Sequence, residues 1–369
     1  MSAMRIGIDA RMYDESGIGR YLRNLISHLG KLDKHNSYFV LLQEKNIHIK
    51  LPKNFSKIKA NFGWYGLKEQ WELPGILSKL NLDVVHYPHF NVPLLYSGKF
   101  VVTIHDLIHQ HFTDQETSTK RELVQKIKKY GYKKVFNFAV NKSQKIITPT
   151  ISIKNQLIKE WSINSEKIKA THEAVEDELI KLVAKNNSAV LVTGSYLFYV
   201  GNAHPHKNLE KLITVFRQLR LTHPELQLVL SGKENYFWRR VQKLVQDDAI
   251  QGVVFTGFIT DEQMATLYKN ALAFVFPSLE EGFGIPLLEA MAFGCPVVAS
   301  NIPVIKEVGE DAVFYFDPKD EIEMRGKLLQ VIENSRLRKV LTDRGLKHYK
   351  KFSWENLAQQ TLEVYKQCA

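Results

Sequence analysis

Along the first 160 residues, short runs of aliphatic and β-branched residues alternate with longer stretches whose apolar positions recur every three or four residues. The runs "RIGID" from Arg5, "SYFVLL" from Ser37, "DVVHY" from Asp83, "FVVTIHD" from Phe100 and "KIITPT" from Lys145 read as strands. Residues 18–29, 67–80, 120–145 and 152–161 carry the helical period. This alternation predicts a mostly parallel sheet with helices on both faces. The pattern lapses around residues 180–195, in "IKLVAKNNSAVLVTGS", and then restarts. "YLFYVG", "LQLVLSG", "VVFTGF", "LAFVFPS" and "PVVAS" are strands of a second series. Helices at 209–221, 237–246, 262–270 and 286–293 follow the first four, and helical patterns at 321–333 and 354–367 close the chain.

The expected organisation is therefore a first Rossmann-like domain over residues 1–180, a linker over 181–195 and a second Rossmann-like domain over 196–350. Ligands of such folds bind outside the carboxyl ends of the strands, so a cleft between two sheet ends is the expected site. At 369 residues with 44% hydrophobic content, the chain can fill two cores. No apolar run is long enough to span a bilayer, and "MSAMRIGIDAR" enters a strand pattern without an apolar leader, so a cytoplasmic location is expected. Cys295 and Cys368 are too few and too distant in sequence for a disulfide framework or a zinc site.

Charge changes this picture in one half only. Residues 1–185 hold 29 Lys and Arg against 18 Asp and Glu, and residues 186–369 hold 21 of each, so the net +11 belongs to the first half. The excess is densest between Lys120 and Lys145, where Leu123, Ile127, Tyr130, Val135 and Phe136 interleave with lysines at helical spacing. Such a basic amphipathic helix is either the solvated side of a core-packing helix or a contact for anionic headgroups or a pyrophosphate-linked acceptor.

The candidate chemistry lies in four loops. In "EEGFGIPLLEAMAFGCP", from Glu280, Pro286 marks a first helical turn, Gly294 a left-handed stop and Pro296 a block beyond it. Glu281 then precedes the helix, and Glu289 lies in its first turn or just after. The amides of Phe283, Gly284 and Ile285, at the positive end of the helix dipole, form an anion site. An acidic residue near a helix start also stabilises the helix by roughly 0.3–1 kcal/mol, so Glu289 has a structural reading as well. A glycosidase would need both carboxyls at about 5–9.5 Å across one bond, which nothing in the sequence fixes.

In "YVGNAHPHKNLEKL" a strand ends at Gly201 and Lys207 opens the next helix, placed to neutralise a phosphate; a surface lysine after a turn is the alternative. In "SGIGRYLRNL" Gly17 and Gly19 free the backbone to approach a ligand, without the third glycine of a dinucleotide fingerprint. His105 and Asp106 end a predicted strand, where a ligating and a structural histidine are both open readings. No Asp-x-Asp occurs, and the acidic runs at 176–178 and 247–248 lack a cage pattern, so no metal is expected.

Taken together and in order, "MRIGIDARMYDESGIGRYLRNL", "LDVVHYPHFNVP", "VVTIHDL", "YVGNAHPHKNLEKL" and "PSLEEGFGIPLLEAMAFGCPVVASNIPVIKEVGEDA" resemble glycosyltransferase family 4. The look is closest to bacterial mannosyltransferases of surface polysaccharide assembly. That resemblance implies the α/β GT-B fold, two Rossmann-like domains facing each other across a central cleft. It also implies a C-terminal helix at 352–369 carried back onto the first domain. By it, Glu281 contacts donor-sugar hydroxyls and Glu289 the nucleotide ribose. Lys207 neutralises the donor diphosphate, and His105 touches the sugar near the reacting carbon. The amides of Phe283, Gly284 and Ile285 bind phosphate and sugar oxygens, Gly17 and Gly19 let the first domain close over the diphosphate, and Phe258 and Ile259 flank the base. Many members carry an Arg where Asn202 stands; His206 or Lys233 are the candidate substitutes.

The implied reaction is retaining transfer of a hexose, mannose from GDP-mannose, to a lipid-linked or glycan acceptor on the inner face of the cytoplasmic membrane. It needs no cofactor beyond the nucleotide sugar. UDP- or dTDP-sugars stay open as donors. Rival readings are a nucleotide-sugar epimerase on the same fold and a nucleic-acid-binding protein using the basic half, the latter disfavoured by the charge-neutral second half.

Overall fold

The computed structural model describes residues 3–108, 119–183 and 191–369, with the side chains of 119–129 and 183 excepted. These divide into two compact units: residues 3–108, 119–173 and 353–369 form one, and 174–183 with 191–352 form the other.

The first unit is a seven-stranded parallel sheet of order β3-β2-β1-β4-β5-β6-β7. Its strands are β1 (Arg5–Asp9), β2 (Ser37–Leu42), β3 (Phe55–Lys59), β4 (Val84–Tyr87), β5 (Phe100–Thr103), β6 (Lys145–Thr148) and β7 (Ile168–Ala170). Val84 to Tyr87 and Phe100 to Thr103 are buried throughout, as expected of strands covered on both faces. The covering helices are α1 (Gly17–Leu32), α2 (Leu67–Ser78), α3 (Thr119–Lys142) and α4 (Ile151–Trp161). Helix α1 buries Tyr21, Leu22, Leu25, Ile26 and Leu29, the apolar stripe of its helical period.

The second unit is a six-stranded parallel sheet of order β10-β9-β8-β11-β12-β13. Its strands are β8 (Tyr196–Val200), β9 (Gln227–Ser231), β10 (Val253–Gly257), β11 (Ala273–Phe276), β12 (Val297–Ser300) and β13 (Val313–Phe316). The helices are α5 (Asp177–Val183), α6 (Leu209–Leu219), α7 (Tyr236–Asp247), α8 (Asp261–Asn270), α9 (Ile285–Ala292), α10 (Pro303–Gly309), α11 (Glu321–Glu333) and α12 (Ser335–His348). The unit begins at residue 174, ahead of the break expected after 180, because Val175 and Leu179 are buried in its core. Residues 181–183 of the expected linker are helical, and 184–190 lie outside the described residues.

The last helix, α13 (Trp354–Cys368), belongs to the first unit. It buries Trp354, Leu357, Val364 and Tyr365, and Tyr365 is fastened by a buried polar relay. Tyr365 Oη lies 2.6 Å from His86 Nδ1, and His86 Nε2 lies 2.8 Å from Thr103 Oγ1. Burial, with a smaller contribution from His105, lowers the His86 pKa to about 3, so the ring is neutral.

Candidate active site

In each sheet the strand order reverses at one point, between β1 and β4 in the first unit and between β8 and β11 in the second. The loops leaving those paired strands diverge, which opens a crevice at their carboxyl ends.

In the second unit the crevice holds Lys207 and Glu281. Pro205–Lys207 is a single 3-10 turn after β8, closed by Asn208 in the left-handed conformation, φ 60°. The Asn208 amide donates to the carbonyls of Pro277, 3.2 Å, and Pro318, 2.9 Å, and the Leu279 amide donates to His206 O, 2.7 Å. The turn is thereby stitched to the loop after β11. Lys207 Nζ donates to Glu281 Oε1 at 2.6 Å, with side-chain exposures of 13% and 8%. Phe276 lies under the ammonium, 5.6 Å from its ring centroid.

Beyond Glu281 the chain turns through Gly284, φ 98°, a left-handed N-cap that glycine adopts without strain. Ile285 and Pro286 then open α9, whose dipole turns its positive end to this loop; Pro286 has no N–H, and the Leu287 amide donates to Gly284 O at 3.0 Å. The Phe283 side chain is a core group, edge-on to Phe352 at 5.9 Å, so only its backbone can serve a ligand. Glu289 is the fifth residue of α9, beyond its first turn, and 2% exposed. Tyr268 Oη donates to Glu289 Oε2, 3.4 Å, and to Pro286 O, 3.2 Å. Tyr268 stands on α8, so the acid is tied to the neighbouring helix.

Three further glycine-bearing strand ends run side by side. Gly201 N donates to Ser231 O and Gly232 N to Gly257 O, each at 3.0 Å, which aligns the loops carrying Asn202, Lys233 and Phe258. The Asn202 side chain accepts from His204 N, 3.3 Å, and its carbonyl accepts from Tyr199 Oη, 2.6 Å, so Asn202 shapes its own loop. His206 is 8% exposed and stacks on His204 at 5.8 Å, whereas Lys233 is exposed. Phe258 is 80% exposed, and Ile259 packs on the core.

The remaining candidates stand in the first unit. Gly17 and Gly19 begin α1, and a Cβ at Gly19 would lie 2.4 Å from Tyr13 O, so that turn tolerates no side chain. His105 Nδ1 lies 3.2 Å from Glu173 Oε1, and Nε2 lies 3.0 Å from Pro88 O. Both partners only accept, so both nitrogens carry protons. Burial opposes that charge, but the Glu173 hydrogen bond and carboxylate outweigh it and raise the His105 pKa. Glu173, Tyr268 and a buried Asp9–Arg11–Glu69 cluster escaped the sequence reading. Only Asp9 and Arg11, in "DAR" at the end of the first strand, gave a local signal for it.

Two parallel doubly wound units, the second with a buried cation and a glycine-capped helix start at its switch point, define a GT-B glycosyltransferase. The chain belongs to the family-4 glycosyltransferases. The model described as "Glycosyltransferase Family 4" matches residues 16–179, and that of "Glycosyl transferases group 1" matches 181–348. It is 30% identical to O-antigen chain mannosyltransferase B of Escherichia coli over 293 residues, 77% of this chain and 74% of the relative. It is 28% identical to O-antigen chain mannosyltransferase RfbU of Salmonella typhimurium, over 70% of this chain and 67% of the relative. Among solved structures, sucrose-phosphate synthase from Thermosynechococcus elongatus superposes with a TM-score of 0.76 at 19% identity, covering 99% of this chain and 98% of that one. WaaG, a glycosyltransferase involved in lipopolysaccharide biosynthesis, gives 0.72 at 16%, covering 98% and 99%. The protein is a hexosyl-transferring enzyme, and retention at the anomeric carbon fits its fold. Among the described residues, no helix is long and apolar enough to cross a membrane.

Proposed function

We propose that the enzyme transfers mannose from GDP-mannose, with retention, to a lipid-linked or glycan acceptor in bacterial surface polysaccharide synthesis. The observation that carries this reading is the buried Lys207–Glu281 pair on the loop that leads into the N-terminus of α9. The two O-antigen mannosyltransferase relatives favour the sugar.

In this reading Lys207 and the amides of Phe283, Gly284 and Ile285 stabilise the charge that develops on the leaving diphosphate, and no metal is needed. Lys233 supplies the second diphosphate cation: it is exposed on the neighbouring strand end, whereas His206 is buried. Glu281 holds sugar hydroxyls, Glu289 the ribose, and the backbone at Phe258 and Ile259 the base. Gly17 and Gly19 keep the β1–α1 turn close to the diphosphate. His105, with both nitrogens engaged, contributes a fixed positive charge near the sugar and does not act as a proton acceptor. The leaving phosphate takes the acceptor proton on the same face. The test is a screen of GDP-, UDP- and dTDP-sugars read by nucleotide release, with and without lipid-linked acceptors. Turnover of a UDP-sugar alone would refute the GDP-mannose assignment, and release without any glycosidic product would refute transfer.

Peripheral binding to the inner face of the cytoplasmic membrane completes the proposal. Leu67 and Trp71 on α2 are 84% and 73% exposed, and Tyr130 on α3 is 73% exposed. Tyr65 and Tyr132 flank Phe90 at 6.2 and 4.7 Å, so the start of α2 and the 130–134 stretch of α3 adjoin, with Lys133 and Lys134 exposed. An exposed tryptophan beside lysines matches an anionic interface. The side chains of 120–129, most of the basic run, lie outside the described residues. Co-sedimentation with anionic vesicles should fall in a Trp71→Ala, Lys133→Glu, Lys134→Glu variant; unaltered co-sedimentation would remove this surface from the proposal.

A further inference from the structure

Glu173 is a buried carboxylate with a single partner. It is 6% exposed and stands three residues beyond β7, the edge strand of its sheet, at the residue where the chain leaves the first unit. Its side chain reaches past the end of β6 to His105, which follows β5, and Oε1 lies 3.2 Å from Nδ1. Among the described residues, His105 is the only hydrogen-bonding or ionic partner of Glu173. The other ring nitrogen, Nε2, lies 3.0 Å from Pro88 O, on the loop after β4. Tyr21 of α1 packs edge-on to the imidazole at 4.9 Å, its phenol kept protonated by burial. The remaining ionisable neighbours are Asp106, whose Oδ1 accepts from the Ile108 amide at 3.0 Å, and His86, which burial keeps neutral.

Hydrogen bonding and charge both require the doubly protonated ring. A carboxylate and a carbonyl only accept, so a neutral His105 would turn a bare nitrogen towards one of them and lose that contact. Burying an ion pair costs about as much as its attraction returns, so this pair adds little stability over apolar groups of the same volume. Its consequence falls on the imidazole instead. Burial pushes the ring proton off, but the Glu173 hydrogen bond and charge together outweigh burial and keep it on. We propose that Glu173 is a positioning residue for transfer, holding His105 as an imidazolium with its ring fixed between Glu173 Oε1 and Pro88 O. The inference rests on the reading of His105 as a charge beside the donor sugar and adds the residue that maintains that charge. Glu173 reaches the sugar only through His105.

Two measurements on the whole chain test this. In NMR titrations of the histidine ring signals, with His105 assigned by its loss in His105→Gln, His105 should titrate above the ordinary value of 6.5. In Glu173→Gln, which keeps the shape and an acceptor without the charge, that titration should move down by about one pH unit or more. Glu173→Asp keeps the charge and should titrate nearer the parent. Turnover, read as nucleotide release at saturating donor, should follow the same proton. The parent kcat should fall as pH rises through the His105 titration, and in Glu173→Gln that limb should move down by the same amount, with donor KM nearly unchanged. Above both limbs, kcat is then about tenfold below the parent for a shift of about one pH unit. In a His105→Gln background, Glu173→Gln should leave the profile where the first change puts it. A parent His105 that titrates at or below 6.5, a limb that Glu173→Gln does not move, or an equal loss of kcat with and without His105 would overturn the assignment. Parental turnover in His105→Gln defeats the reading of His105 beside the sugar, and no release with any donor defeats the transferase reading. In both cases the NMR titration still decides whether Glu173 holds the charge on His105.

Discussion

Replacing Glu281 by Gln should separate the sugar contact from the diphosphate contact. In the resting protein Glu281 Oε1 accepts from Lys207 Nζ at 2.6 Å, with both side chains largely buried, so a diphosphate must compete with Glu281 for the ammonium. Glutamine keeps the shape and a weaker acceptor but removes the charge. A hydrogen bond to a charged group contributes about 1.5–3 kcal/mol, so releasing Lys207 should tighten GDP binding by about 2 kcal/mol, or ~30-fold. The same change leaves a buried ammonium without its counter-charge, which should lower the stability of the free enzyme by about 3 kcal/mol. Bound GDP should restore most of that loss. Turnover should nonetheless fall, because the sugar loses its carboxylate. Titration calorimetry with GDP, thermal unfolding with and without GDP, and steady-state nucleotide release together read all three effects. Unchanged or weaker GDP binding in Glu281→Gln would refute the placement of the diphosphate at Lys207.

Glu289→Gln should raise the donor Kd by about tenfold, with Tyr268 still able to donate to the amide oxygen; parental donor affinity would end the ribose assignment. Gly19→Ala puts a methyl 2.4 Å from Tyr13 O and should cost about 1–3 kcal/mol of stability with a raised donor KM, and a variant with parental melting and KM would contradict the close turn. His86 has a folded pKa of about 3 against 6.5 when unfolded, so the unfolded chain takes up the proton first and stability falls as pH drops from 6.5 towards 3. The loss is about 2 kcal/mol by pH 5, and denaturant titrations of His86→Gln should lack that component while the parent shows it.

The parallel sheets were legible because strands buried on both faces must be almost wholly apolar, as "DVVHY" and "FVVTIHD" are. Strands β3, β7 and β13 were not, and all three are sheet edges. β3 reads "FSKIK" with only Phe55 fully buried, since an edge strand carries polar side chains into solvent. Helix α12, "SRLRKVLTDRGLKH", buries only Leu341, Gly345 and His348, too few positions to show a helical stripe. The ends of α9 were readable because Pro286 and Gly294 have steric reasons to stand where they do. Contacts that join distant residues left no local trace. Nothing near Glu289 announces Tyr268, and nothing near His105 announces Glu173.

The two switch points are built on one plan with opposite electrostatic outcomes. Each places a cation in a strand-end loop, Arg11 after β1 and Lys207 after β8. In the second unit the cation has a single carboxylate, and the positive end of the α9 dipole lies on the same loop. In the first unit two carboxylates already surround the guanidinium, and the surplus is of acceptors. An extra cation in the first crevice, introduced as Asn91→Lys, should then give that crevice an affinity for GDP that the parent crevice lacks. Calorimetric titration with GDP would show this as a second binding event confined to the variant. A second event in both would mean that the carboxylates at Asp9 and Glu69 do not keep the anion out.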